Sequence, residues 1–306
     1  SIALVGCMIG ACTCGWLADK IGRKNLLIVS AIVFLLSSLL TGAFSSFALF
    51  LVARFFGGVG IGIASGLSPM YIAEIAPSNI RGKLVSLNQM TIVLGILAAQ
   101  IVNWLIAEPI PAGSIASDIA TSWNGQMAWR WMFWAAAVPS LAFLLMAFFI
   151  PESPRWQAMN GQVVAATDTL TRIGGVDYAH TEMRAISIAN SAIKEQAGLA
   201  TLFSRPFGKV LVLGLFIAVF QQWCGTNVIF NYAQEIFQSA GYSVGDVLFN
   251  IVITGVANVV FTIIAINIVD KLGRRKLMLI GALGLCIIYA ILGLCYYLHI
   301  TGFFMI

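Results

Sequence analysis

The sequence predicts an all-α polytopic membrane protein, and three observations predict it. Of the 306 residues, 60% are apolar and only 9% are charged, with a mean hydropathy of +0.94. Runs such as NLLIVSAIVFLLSSLLTGAF match the roughly 20 apolar residues that cross a hydrocarbon core about 30 Å thick. A tight cluster of acid, glycine and base, DKIGRK at Asp19–Lys24, returns as DKLGRR at Asp270–Arg275. In lipid a helix satisfies its backbone polar groups within one segment, so each apolar run reads as a helix.

Eight spans follow in order, at 2–18, 26–45, 48–72, 84–106, 129–150, 208–237, 246–268 and 277–298. The opening run lacks an initiator methionine, a basic leader and a small-residue cleavage site, so it is no signal peptide. The chain is therefore expected to begin inside a longer protein, and GFFMI at its end reads as the start of a further span. The two charged clusters enclose six spans, an even number, which puts both on one side of the membrane. That spacing is the signature of two parallel six-span halves, one of the ways transporters are built. The long polar stretch at 151–206 then joins the halves. Residues 1–150 are the first half without its first span, and 207–306 begin the second. Within the joining stretch, GQVVAATDTLTRIGG and YAHTEMRAISIANSAIKEQ are predicted to be short amphipathic helices.

Of the 17 Lys and Arg, all but Arg54 and Arg130 fall in or beside loops on the side of the 151–206 stretch. The positive-inside rule makes that side cytoplasmic. Topology thus accounts for the net charge of +5 and the pI near 9.0, and no nucleic-acid partner is expected. Asp19, Arg23, Glu74, Arg81, Glu152 and Arg155 all fall at the cytoplasmic ends of first-half spans, and Asp270 and Arg274 repeat the motif in the second half. One reading is solvated surface charge, with pairs contributing about 0 to 1 kcal/mol. The other is a network that a glycine-bearing turn holds in place when that side is closed.

Neutral amides are the polar signal inside the spans. A saccharide hydroxyl both donates and accepts a hydrogen bond, and so does an amide. Gln89, Gln100 and Asn103 lie near multiples of the helical period on the fourth span, one turn beyond Ser86. Asn250, Thr254, Asn258 and Thr262 follow at i+4 on the seventh. Gln221, Gln222, Asn227 and Asn231 on the sixth do not share a face, and Gly225 between them is placed to break the helix. Hydrogen bonding between helices is the competing role for such amides. Arg54 is the charge set deep within a span, where an ionisable group faces a cavity or a partner. Gly58, Gly62 and Gly66 form two GxxxG steps for close helix contact rather than a nucleotide loop. The six Cys lie in spans and form neither a disulfide framework nor a metal site. No nucleophile and base pair or metal cluster suggests an enzyme, and no cofactor is expected.

These words in this order resemble the major facilitator superfamily, and within it the sugar porter family. The resemblance rests on GWLADKIGRK from Gly15, RFFGGVGIG from Arg54, SPMYIAEIAPSNIRGK ending at Lys83, PESPRW from Pro151 and QQWCGTN from Gln221. It is nearest to bacterial proton-linked xylose and glucose carriers. It implies a twelve-span fold and sugar contact at Gln89, Gln221, Gln222, Asn227 and Asn258. It also implies pairing of Arg54 with an acid on the family's first span, which would lie before Ser1, for proton coupling, and a multi-pass place in the cell's inner membrane. Where many sugar porters have two adjacent tyrosines, this chain has Asn231 and Tyr232. The expected function is alternating-access transport of a monosaccharide with a proton in a lipid bilayer. A facilitative uniporter and a non-transporting sugar sensor are the alternatives.

Overall fold

The computed structural model describes residues 2–77, 80–108, 121–194, 205–225 and 244–298. Every regular element among the described residues is helical. Helices α1 (Ile2–Ile21), α2 (Arg23–Ala43), α3 (Phe47–Ile75) and α4 (Arg81–Ile106) come first. Helix α5 (Asn124–Phe149) opens with a π-helical turn at Asn124–Ala128. The short helices α6 (Pro154–Met159), α7 (Val163–Gly174) and α8 (Val176–Lys194) fill the stretch predicted to join the halves. Helices α9 (Arg205–Trp223), α10 (Val244–Leu272) and α11 (Arg274–Tyr297) complete the order.

Six helices among the described residues are long and apolar enough to cross a membrane: α1 to α5, and Phe249–Ile268 within α10. The sixth predicted span, 208–237, is a shorter apolar helix over Gly208–Trp223, and its remainder from residue 226 lies outside the described residues. The eighth is helical as α11. The chain divides into two compact units, Ser1–Thr91 with Ala120–Gln196, and Ile92–Ile119 with Ala197–Ile306.

The first unit is built on a glycine contact between α1 and α3. A Cβ added at Gly6 would overlap the Phe55 carbonyl oxygen, and one at Gly10 the Val59 oxygen. In the reverse direction, a Cβ at Gly58 would overlap the Ala3 oxygen and one at Gly62 the Cys7 oxygen. Two GxxxG steps therefore face each other, and each glycine Cα–H points at a carbonyl of the opposite helix, as weak Cα–H···O bonds do between close helices. Below this contact Cys14, Ala18, Leu26, Leu27, Ile63 and Leu67 form the buried core, with Phe143 of α5 and Ile150 just after it packed against it.

Helix α5 also closes the far end of α2, whose last carbonyls have no intrahelical donor. Arg130 donates to the oxygens of Gly42 (2.8 Å) and Ala43 (3.2 Å) and to Ser45 Oγ (3.1 Å). Trp134 Nε1 donates to Leu39 O at 3.2 Å. Helices α7 and α8 of the joining stretch pack through Leu170, Ala179 and Ile186. In the second unit, Trp104 of α4 lies 5.8 Å from Phe249 of α10, and the Gln100 side chain occupies the notch left by Gly255.

Because backbone blocks the space beside Gly10, Gly10→Ala should destabilise the protein by about 1 to 3 kcal/mol. Gly15→Ala on the same helix meets nothing within 4 Å and should be neutral or slightly stabilising. Thermal unfolding of the detergent-solubilised protein should separate the two, and equal midpoints would rule out the close α1–α3 contact as a stabilising feature.

Candidate functional site

Three groups of predicted residues have definite places, the first being a charged junction where α1 meets α2. The chain turns there at Gly22, with φ 91° and no side-chain cap for α2. Glu152, arriving after α5, fills the role of that cap. Its carboxylate accepts from the backbone N–H groups of Arg23 (2.9 Å), Lys24 (3.1 Å) and Ser153 (2.8 Å). A negative group at a helix N-terminus also opposes the positive end of the helix dipole. The carboxylate sits where a Gly22 Cβ would be, so glycine is required both for the backbone conformation and for the close approach.

Arg23 extends from this turn into the interior and is only 4% exposed. Its Nε and Nη2 donate to the two oxygens of Glu74 at 3.0 and 3.1 Å, a bidentate pair. Nη1 donates to Ala18 O at 3.0 Å and lies 3.1 Å from Asp19. The Glu74 side chain is 8% exposed and that of Asp19 is 64% exposed, so the Glu74 pair is the desolvated one. Ser153 Oγ donates a short hydrogen bond to Glu74 and caps α6 through Trp156 N–H. Trp156 Nε1 in turn donates to Asp19 O at 2.9 Å.

Two residues expected in this network stand apart from it. Arg81 donates to Ala76 O at 3.3 Å, closing the end of α3, and Arg155 is exposed on α6, without an ion pair among the described residues. Proximity of helix ends brings charges near one another, but which acid an arginine reaches depends on its direction from the helix. In the repeated motif Gly273 has φ 80°, so the same turn joins α10 to α11. The side chains of Asp270 and Arg274 lie outside the described residues.

The second group surrounds Arg54. Its guanidinium carbon lies 5.1 Å from the Phe133 ring centroid and faces a cavity of about 430 Å³ lined by Ser37, Ser38, Gly57, Ser140 and Phe143 among others. The three hydroxyls bond to carbonyls of Ala53, Phe34 and Ala136. Arg54 has no carboxylate partner among the described residues.

The third group is the amides. Gln89 is exposed on the part of α4 that belongs to the first unit. Gln221 and Gln222 are exposed in the last turn of α9, directly before the chain turns at Gly225 with φ 80°. Asn258 is half-buried on α10, and its carbonyl accepts from Thr262 at 2.7 Å. Asn227 lies outside the described residues. Among the described residues, Gln100 Oε1 and Asn250 Nδ2 are buried without a hydrogen-bond partner. Among the described residues no group of three or more His, Cys, Asp or Glu could hold a metal.

The sequence reading missed Ser153, Trp156, Gly6 and Gly10 as parts of this architecture. The Ser-Pro pair at Ser153 is a readable helix-start signal, and Gly6 and Gly10 are a GxxxG step like those at Gly58, Gly62 and Gly66.

Membrane-spanning helices, a glycine turn keyed by an arginine and its acids, and the repetition of that turn define a protein of the major facilitator fold. The model of the family described as "Sugar (and other) transporter" matches residues 1–306, and the chain belongs to that family. It is 36% identical over 321 residues to the D-xylose-proton symporter of Escherichia coli K12, a match that covers 98% of this chain and 62% of that protein. It is 37% identical over 303 residues to the arabinose-proton symporter of Bacillus subtilis 168, covering 99% and 63% respectively. Among solved structures it resembles the partially occluded, inward-open xylose transporter XylE of E. coli. That match has a TM-score of 0.83 at 35% identity and covers 98% of this chain and 66% of that one. The chain thus spans a little under two thirds of the length of these relatives.

Ser153→Ala removes a donor to the buried Glu74 carboxylate and the cap of α6 together, and should lower stability by about 1 to 3 kcal/mol. Arg155→Ala, at an exposed position two residues on, should change it by less than about 0.5 kcal/mol. Thermal unfolding of both variants beside the parent tests the assignment.

Proposed function

We propose that the intact protein carries a monosaccharide, a pentose or hexose, across the membrane by alternating access, in symport with protons. The observation that carries the sugar reading is the pair Gln221 and Gln222, presented at the end of α9 where the helix stops at a positive-φ glycine. Broken transporter helices place side chains and freed backbone groups at a binding site, and paired amides suit vicinal hydroxyls. Gln89, Asn227 and Asn258 complete the proposed set of sugar contacts. The relatives named above, symporters of xylose and of arabinose, support the same substrate class.

Arg54 supplies the proposed coupling element. A permanent guanidinium facing a cavity within a membrane span is stabilised by a carboxylate only while that carboxylate is ionised. An acid reaching this cavity from elsewhere in the intact protein would hold Arg54 when charged and release it when protonated. Protonation then favours one conformation through differential interaction with the two states. Asp19, Arg23, Glu74 and Glu152 form the junction that keeps the first unit together, and Asp270 and Arg274 are its proposed counterpart in the second half. In this reading residues 1–150 belong to the first half, 151–206 join it to the second on the cytoplasmic side, and 207–306 belong to the second. The protein is a multi-pass component of the cell's inner membrane.

Gln222→Ala should weaken sugar binding by about 1 to 3 kcal/mol by leaving hydroxyls unpaired. Calorimetry on the purified protein with xylose, arabinose, glucose and galactose measures this, and undiminished binding of every sugar bound by the parent would remove Gln222 from the site. Arg54→Leu should abolish concentrative uptake driven by an imposed proton gradient while preserving part of the exchange of labelled for unlabelled sugar. Vesicles in which the variant still concentrates sugar like the parent would exclude Arg54 from coupling. Uptake by the parent that is indifferent to an uncoupler would make the protein a facilitative uniporter.

A further inference from the structure

Helix α9 stops at Trp223, and a residue of another helix bonds to the turn that follows. The Cys224 N–H still donates to Phe220 O at 3.0 Å, and the Gly225 N–H reaches back to Gln222 O at 3.5 Å, so the last turn tightens around the two glutamines. The Cys224 carbonyl then lies at a helix end, where carbonyls lack intrahelical donors. Tyr289, in the apolar middle of α11, donates its hydroxyl to that oxygen at 2.8 Å. In a membrane interior a freed backbone carbonyl is costly unless a neighbouring side chain takes it up. The phenol also limits what can stand at Gly225. A Cβ there would lie 2.7 Å from the Tyr289 hydroxyl and 3.3 Å from its Cζ, on a backbone whose φ of 80° already favours glycine.

We propose that Tyr289 is a positioning residue for the sugar site: by taking the Cys224 carbonyl it holds the end of α9 in the turn that presents Gln221 and Gln222. The proposal rests on the reading of those amides as sugar contacts. Tyr289 does not itself touch the sugar. Its effect is transmitted through three residues of backbone, so removal of the hydroxyl should displace the amides without removing them.

The test uses the intact protein in lipid nanodiscs, with xylose, arabinose, glucose and galactose as probes and the sugar that the parent binds most tightly carried forward. Tyr289→Phe, which deletes one oxygen and keeps the ring, should raise the dissociation constant about five-fold, the size expected from one neutral hydrogen bond. It should also speed alkylation of Cys224 by N-ethylmaleimide, read from the labelled peptide by mass spectrometry. Adding Gln222→Ala to Tyr289→Phe should cost less affinity than Gln222→Ala costs in the parent, because the amide is already displaced. A role in folding alone would not produce that coupling. Gly225→Ala strains the same turn from the other side and should give the same pattern if the phenylalanine variant is poorly produced. Binding within two-fold of the parent, or strict additivity with a Gln222→Ala variant that does weaken binding, overturns the role of Tyr289 and leaves the sugar site standing. A Gln222→Ala variant that binds every sugar as the parent does removes Gln222 from the site and overturns with it the role of Tyr289 in presenting that amide.

Discussion

The first unit depends on a guanidinium buried at the junction of α1 and α2. Arg23 is 4% exposed, and an arginine in that position is tolerable only if its donors and its charge are met. They are met by both oxygens of Glu74, by Ala18 O and by Asp19. A satisfied buried pair adds little net stability compared with apolar packing, but removing one partner costs about 3 to 5 kcal/mol because the other charge remains. What the pair contributes is therefore specificity. The bidentate pair ties Glu74 of α3 to the turn between α1 and α2.

That arrangement extends outward through shared partners. Glu74 is bonded to Ser153, which caps α6, and the neighbouring Glu152 caps α2. Trp156 returns to α1 through Asp19 O. At the other end of the same helix, Arg130 and Trp134 of α5 close the carbonyls of α2. Helix α2 is thus capped at both ends by the segment that runs from Arg130 through α5 to Glu152. Between the ends, the α1 and α3 backbones meet through four glycines, a contact that admits no side chain and no sliding without steric overlap. The alternating access proposed above requires units that keep their internal geometry while the contacts around them change, and these features hold the internal geometry of the first unit.

Much of this could be read in the sequence because charge and glycine are conspicuous in an apolar chain. Asp19, Arg23, Glu74 and Glu152 were legible from their places at helix ends, and Gly58 and Gly62 from their four-residue spacing. The choice of partner was less legible. Arg81 and Arg155 carry the same charge in similar places, yet one closes the end of α3 and the other faces outward, because the direction of a side chain from its helix end is set by packing. Gly225 was readable as a break between polar residues. Tyr289 was not, since a tyrosine in an apolar run looks like packing until the carbonyl it meets is known. Gln100 and Asn250 carried both a packing and a binding reading, and their buried, unpartnered atoms distinguish them from the exposed Gln221 and Gln222.

The claim that Arg23 and Glu74 key the first unit is tested most directly by a double-mutant cycle on unfolding free energy, with Arg23→Gln and Glu74→Gln made singly and together. The account predicts a coupling of about 2 kcal/mol or more for this buried bidentate pair. It predicts no more than about 1 kcal/mol for the parallel cycle on Arg23 and the solvent-facing Asp19. A coupling for Arg23 and Glu74 no larger than that for Arg23 and Asp19 would contradict it.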